Sequence, residues 1–340
     1  MSTPPADPAA APDAVTAGAS DAGAAVDPRC RDCTGASISL IIEGRPRPVG
    51  SMTVARLVPS PKRRSIGPFV FLDRMGPVDV PPGVGFDVPP HPHIGLSTVT
   101  YLVQGENIHR DSLGTVQRNC GRDLNLMTAG RGVVHSERAD AEWRRTGGRL
   151  DGVQLWLALP TANEEDAPSF QHAPAAELPS VLPAPGVRGQ VLLGRFLDAS
   201  SPVRHPSAPL LCDLELGAGA SLVLDAVPAG EGPHERAVFV LSGEVIAGEH
   251  VLTPDHLAVL VPTQPLCLLA RTASRVLLVG GPPLDGPRYI DWNFVSSSPA
   301  RIAAARAAWQ ERRFPLVPGD EEEFVPLPPL PKTPYRFGRI

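Results

Sequence analysis

The stretch PHPHIGLSTVTYLVQG, Pro90 to Gly105, decides how this chain is read. His91 and His93 stand two residues apart at its start, and about forty residues later His135 and Glu137 repeat that spacing in GRGVVHSER. On a β-strand, side chains alternate between faces, so residues i and i+2 share a face and can converge on one ion. On a helix the same two residues diverge by about 200°. The residues from Ser97 to Val103 are rich in β-branched and aromatic types and end at the Gly105 turn, which predicts a strand. Pro92 has no N–H to donate, so it belongs at the strand start or an edge, turned away from the histidines.

An H-x-H arises by chance about 0.2 times in a chain with nine histidines among 340 residues, so one pair alone is weak evidence. Context adds weight: both pairs have strand spacing, both adjoin glycine turns, and the residues between them suffice for hairpins that fold one pair onto the other. His91, His93, His135 and Glu137 are therefore the expected metal ligands. His109 and Asp111 in HRDSLG share the spacing, but they follow the Gly105 turn in a polar segment and are read as a loop or as support for the site.

Composition bounds the rest. With 41 prolines and 32 glycines, turns should be frequent and long helices few, which points to an all-β chain. A net charge of -5 offers no basic field for nucleic acid. No run of about 18 apolar residues suggests a membrane span. Residues 1–36 are expected to form a disordered tail without the cationic start of a signal peptide, so the protein is expected to be cytoplasmic and monomeric. Five cysteines make no disulfide framework; Cys30 and Cys33 form a single CxxC with no second pair to complete a zinc site.

Outward from the histidines, residues 37–165 read as one β domain, with short alternating strands in SISLIIEG and MTVARLVPS and a buried strand in GVQLWLAL. Residues 166–185, polar and rich in Pro and Ala, read as a linker, and 186–290 as a second β domain. There FVLSGE, from Phe239, echoes YLVQGE, from Tyr101, which suggests a duplication, yet the second copy lacks an H-x-H and should be metal-free. Within 291–340, Ser298 is the expected N-cap of a helix beginning at Pro299, with Ile302, Ala305 and Trp309 on one face. The proline-rich end should wrap over the body, with Glu321 to Glu323 as a solvated turn.

Together, PHPHIGLSTVTYLVQGE, HRDSLG, MTAGRGVVHSE and WNFVSSS resemble the pirin family of the cupin superfamily over roughly residues 37 to 325. The resemblance implies a bicupin: two antiparallel β-barrels of jelly-roll type with a C-terminal helix and metal in the first barrel only. It assigns His91, His93, His135 and Glu137 as a three-His, one-carboxylate set usually holding Fe(II); the donor chemistry also admits Mn, Ni, Cu, Co or Zn. Where many pirins follow HPH with Arg-Gly-Phe-Glu, this chain has Ile94, Gly95, Leu96 and Ser97. Two functions follow from the resemblance. One is quercetin 2,3-dioxygenase-type cleavage of a small aromatic substrate with O2, with Glu137 as base and Phe69, Phe71, Leu96, Thr98 and Met127 as walls. The other is iron-dependent regulation through a transcription-factor or enzyme partner.

Overall fold

A computed structural model describes residues 30–32, 37–49, 52–228, 234–329 and 338–339. The N-terminal half stacks two antiparallel sheets. The larger runs, in spatial order, through Ser169–Ala173, Leu124–Thr128, Leu96–Gln104, Gly148–Ala158, Phe69–Val80, Met52–Val58 and Arg45–Val49. The smaller runs through Val88–His93, Val133–Arg138, Asn107–Asp111 and Val116–Asn119. The C-terminal half repeats the plan with an eight-stranded sheet centred on Glu235–Ser242 and Ser274–Gly281 and a four-stranded sheet starting at Ser221–Leu224. The chain is all-β apart from short helical segments, but the expected barrels are open: each half is a pair of facing sheets with free edges.

The two large sheets pack back to back, and that contact is the main core. Val99, Tyr101, Leu126 and Leu155 of one half meet Phe239, Leu257, Leu277 and Val279 of the other. Within this apolar layer Tyr101 Oη–H donates to Asp213 Oδ2, and Arg275 Nε donates to Asp213 Oδ1 at 2.8 Å. A buried carboxylate is tolerable here because these donors neutralise it. The echo between YLVQGE and FVLSGE is structural too. Each strand ends at a left-handed glycine, Gly105 (φ 96°) and Gly243 (φ 80°), where a Cβ would press on backbone carbonyls.

Several boundaries differ from the sequence reading. Ile38–Glu43, expected in the first domain, pairs with His256–Leu260 in the C-terminal sheet. Its run of apolar residues has the signature of a strand covered on both faces: Leu40 and Ile42 join the inter-half core, while Ile38 and Ile41 face the C-terminal interior. Residues 166–185 are not a bare linker, since Ser169–Ala173 and Ser180–Ala184 form the edge strands of the two large sheets. Their polar, proline-bearing composition suits edges rather than a crossing. HRDSLG begins in a strand, Asn107–Asp111, whose alternate residues Asn107, His109 and Asp111 are buried. Of the expected tail, Cys30–Asp32 pairs with Ile38–Glu43, whereas residues 1–29 and 33–36, including Cys33, lie outside the described residues.

The helix Pro299–Gln310 forms as its caps dictate: the Ser298 side chain accepts from Arg301 N, Pro299 opens the first turn, and Ile302, Ala305 and Trp309 are buried. Together with Trp292, Phe294 and Val317 these three cover Ile94 and Val134 behind the HPH strand. The tail then crosses back over the body. Val325 N–H donates to the Pro90 carbonyl at 2.9 Å, and Trp309 Nε1–H donates to the Val325 carbonyl at 3.0 Å. The acidic run is not wholly solvated, because Glu323 pairs with Arg138, which also makes a two-bond contact with Asp320. Among the described residues, no helix is long and apolar enough to cross a membrane.

Two outcomes follow. Tyr101→Phe leaves the buried Asp213 short of one donor, so urea unfolding should show a loss of about 1–3 kcal/mol. Burial raises the Asp320 carboxyl, but Arg138 outweighs it and the folded value falls below the ordinary 3.8. A depressed carboxylate stabilises above its ordinary value and loses that contribution as pH falls through the folded one. Amide protection over residues 316–329, corrected for intrinsic exchange, should therefore be high at pH 5, fall below about pH 3.8, and be low at both in Arg138→Ala.

Candidate metal centre

Strand register assembles the site. His135 pairs directly with His91 across the antiparallel ladder, and Val133 pairs with His93. The three imidazoles consequently share one face, with ring centroids 4.3 Å apart for His91 and His135 and 5.0 Å for His93 and His135. One ring nitrogen from each falls in a group whose members all lie within 4.8 Å of one another, and His93 Nε2 stands 3.1 Å from His135 Nε2. Two nitrogens bound to one ion at about 2.1 Å sit roughly 3.0–3.4 Å apart, so the spacing fits a shared cation. Among the described residues this is the only such group; in the C-terminal half the equivalent space is filled by Val191, Val238, Leu268 and their neighbours.

Protonation favours metal binding. His91 Nδ1–H donates to the Pro89 carbonyl at 2.8 Å, which leaves the lone pair on Nε2. Burial lowers His91 to about 4, aided by His109 and opposed by the Pro89 bond. Burial also takes His93 and His135 well below 6.5, and in both cases neighbouring imidazoles add to the effect. Neutral imidazoles are what a metal needs at neutral pH.

Glu137 does not join the three-His group in this arrangement. The ladder skips a residue between His135 and Glu137, so Glu137 pairs with Val88 rather than Pro89. Consecutive prolines that cannot donate suit such a bulge. Thr100 Oγ1 lies 3.2 Å from Glu137 Oε1 and 2.9 Å from Gln154 Oε1, and its single hydroxyl proton can serve only one of them at a time. Burial raises the Glu137 carboxyl, with His109 and Thr100 opposing.

His109 is closer to the centre than its sequence context suggested. It faces Glu137 across the ladder, its Nδ1 lies 3.4 Å from His135 Nδ1, its Nε2 bonds Asp111 Oδ2 at 3.0 Å, and its ring stacks on Phe170. Asp111 is itself held by the Leu113 and Thr115 N–H groups. A carboxylate–imidazole chain behind His135 orients that ring and leaves its Nε2 toward the cluster.

A cavity of about 60 Å³ opens beside His91, His93 and Glu137. Phe71 lines it, stacked on Trp156 at 4.0 Å, but the other expected walls do not. A bulge at Val70 sets Trp156 opposite Phe71 and Leu157 opposite Phe69, and Phe69 is thereby turned into the inter-half core. Leu96 packs with Val70 and Val295, and Met127 with Ala129 and Val133. Thr98 points to the correct face one pleat short, where Thr100 supplies the hydroxyl beside Glu137. Sequence reasoning missed Trp292, Asn293 and Val325, which reach the cavity from the C-terminal segment. Their signal lay in WNFVSSS and in the tail, neither of which shows periodicity. A larger groove of about 990 Å³, bordered by Leu182, Arg188 and Arg275, lies in the C-terminal half away from the imidazoles.

Facing antiparallel sheets with three converging imidazoles define a cupin with a candidate metal centre. The pirin family model matches residues 51–157 and the model for the pirin C-terminal cupin domain matches 211–315, and the chain belongs to the pirin family. It is 43% identical to a pirin-like protein of Caulobacter vibrioides over 86% of this chain and 99% of that one. It is 38% identical to a Pseudomonas aeruginosa protein named "Putative quercetin 2,3-dioxygenase", over 83% of this chain and 87% of that one. The crystal structure of a quercetin 2,3-dioxygenase from Acinetobacter baumannii superposes with a TM-score of 0.79 at 33% identity, covering 87% of this chain and 96% of that one. The fold, a bicupin, is shared with the bacterial pirin YhhW of Escherichia coli, solved with nickel(II), at a TM-score of 0.56 and 19% identity over 71% of this chain and 96% of that one.

Metal analysis after equimolar loading should find one ion per chain in the wild type and none in His135→Ala. His109→Ala should retain the ion with affinity weakened about 10- to 100-fold, whereas His172→Ala, whose ring bonds Asn125 away from the cluster, should match the wild type.

Proposed function

We propose that this pirin is a metal-dependent dioxygenase acting on a small aromatic substrate with an enediol-type oxygen pair. The carrying observation is the group of three neutral imidazoles that opens, beside a buried carboxylate, on an aromatic-walled cavity. The names of the Pseudomonas and Acinetobacter relatives support the same reaction class.

His91, His93 and His135 would hold the ion, with Fe(II) the favoured occupant. When bound, it supplies Lewis acidity toward a substrate hydroxyl and redox chemistry with O2. Glu137 Oε1 takes up the hydroxyl proton, and its burial makes it a stronger base than an exposed carboxylate. Thr100 donates to the ionised carboxylate and, by turning to Gln154, can accept from the protonated one. Glu137 can instead become a fourth ligand if it releases Thr100. Phe71 and Trp156 wall off water on one side, and Val325 of the tail on another.

Iron-loaded protein incubated with O2 and quercetin or single-ring catechols should consume oxygen; with quercetin, flavonol absorbance should fall and carbon monoxide should be released. Glu137→Gln should keep the metal and lower kcat about 100-fold or more. Absence of oxygen consumption with every substrate and with each of Fe, Mn, Ni, Cu and Co would refute the reading.

A further inference from the structure

Trp292 and Asn293 stand out from the rest of the cavity wall. Both are buried, at 1% and 3% exposure, and Trp292 Nε1 and Asn293 Oδ1 are buried polar atoms without a hydrogen-bond partner among the described residues. Leaving a donor or acceptor unpaired in the interior costs about 1–3 kcal/mol. The backbone here is also constrained. Trp292 adopts a left-handed conformation (φ 52°) in the tight turn between the strands Tyr289–Asp291 and Phe294–Ser296. That turn is anchored to the HPH strand: Ile94 bridges Phe294, and a Cβ on Gly95 would lie 1.9 Å from the Val295 carbonyl, so only glycine permits the approach. A bulky residue that lines the cavity, holds a costly conformation and carries an unpaired polar atom has the features of a binding element.

The two atoms are complementary in kind. Trp292 Nε1–H requires an acceptor and Asn293 Oδ1 requires a donor. The cavity volume limits what enters: at about 30 Å³ per water, 60 Å³ takes about two waters, far below the 300–1,000 Å³ of sites that enclose a whole ligand, so it admits the oxygen-bearing edge of a ring. We propose that Trp292 and Asn293 form a specificity subsite for the head group of an aromatic substrate with two vicinal oxygens, one accepting from Trp292 and one donating to Asn293. A singly ionised catechol carries both. This deepens the proposed function and rests on its placement of substrate beside the histidines.

Calorimetric titration of zinc-loaded protein with catechol tests the subsite without turnover. The wild type should bind, and Trp292→Phe and Asn293→Ala should each weaken binding about tenfold while retaining one zinc per chain and a cooperative unfolding transition above the titration temperature. Should Trp292→Phe fail to fold, Asn293→Ala and Asn293→Ser decide. Absence of wild-type binding, or variant affinities within twofold of wild type, would show that waters alone occupy the subsite and overturn the proposal. Variant-sensitive binding without oxygen consumption would defeat the reaction and keep the subsite. Turnover with an unchanged KM in the variants would do the reverse.

Discussion

Cross-strand pairing of His135 with His91 is the contact on which the rest of the site depends. It brings together two residues 44 positions apart and places His93 on the same face one pleat away. Burying three imidazoles in one apolar layer would be unfavourable if they were charged, so the same packing that clusters them keeps them neutral. The smaller sheet can bear this polar face because the larger sheet opposite carries its apolar load on the other side, against the C-terminal half.

Much of this was legible because strand periodicity is a local property. The i+2 spacing put His91 and His93 on one face, and the capping signal at Ser298 and Pro299 located the helix. The single strand expected from the HPH motif to Gly105, however, is two, Val88–His93 in the smaller sheet and Leu96–Gln104 in the larger. What escaped was set by register and distant pairing. Phe69 and Phe71 have the same parity in sequence, and only the bulge at Val70 separates them into core and cavity. His109 could be read as a loop residue or as support for the site because its strand is short and polar; facing Glu137 across the ladder selects the second. Trp292 and Val325 reach the site from over 150 residues away, a proximity no local pattern encodes.

The departures beside the HPH motif have a structural account. Ile94, where many pirins carry arginine, is buried against Trp292, Phe294 and the C-terminal helix, so an apolar residue there ties the site to the tail. Ser97 bonds Thr128 and His205, coupling the site strand to the C-terminal half. Both changes exchange charge for packing or neutral hydrogen bonds, and they leave the three imidazoles in place. The C-terminal half has the same architecture with an interior of aliphatic side chains, and the chain beyond it supplies the WNF turn.

The strand Ile38–Glu43 has a bearing on how the molecule is made. It leaves the ribosome among the first described segments, yet its ladder partner, His256–Leu260, is more than 200 residues downstream. At about 5–20 residues per second, the gap amounts to roughly 10–40 s of synthesis. Throughout that interval Ile38, Leu40, Ile41 and Ile42, all buried in the finished protein, have no sheet to enter. Chain order thus makes Ile38–Glu43 one of the last strands to be covered, and its apolar residues stay open to other contacts until synthesis is nearly complete.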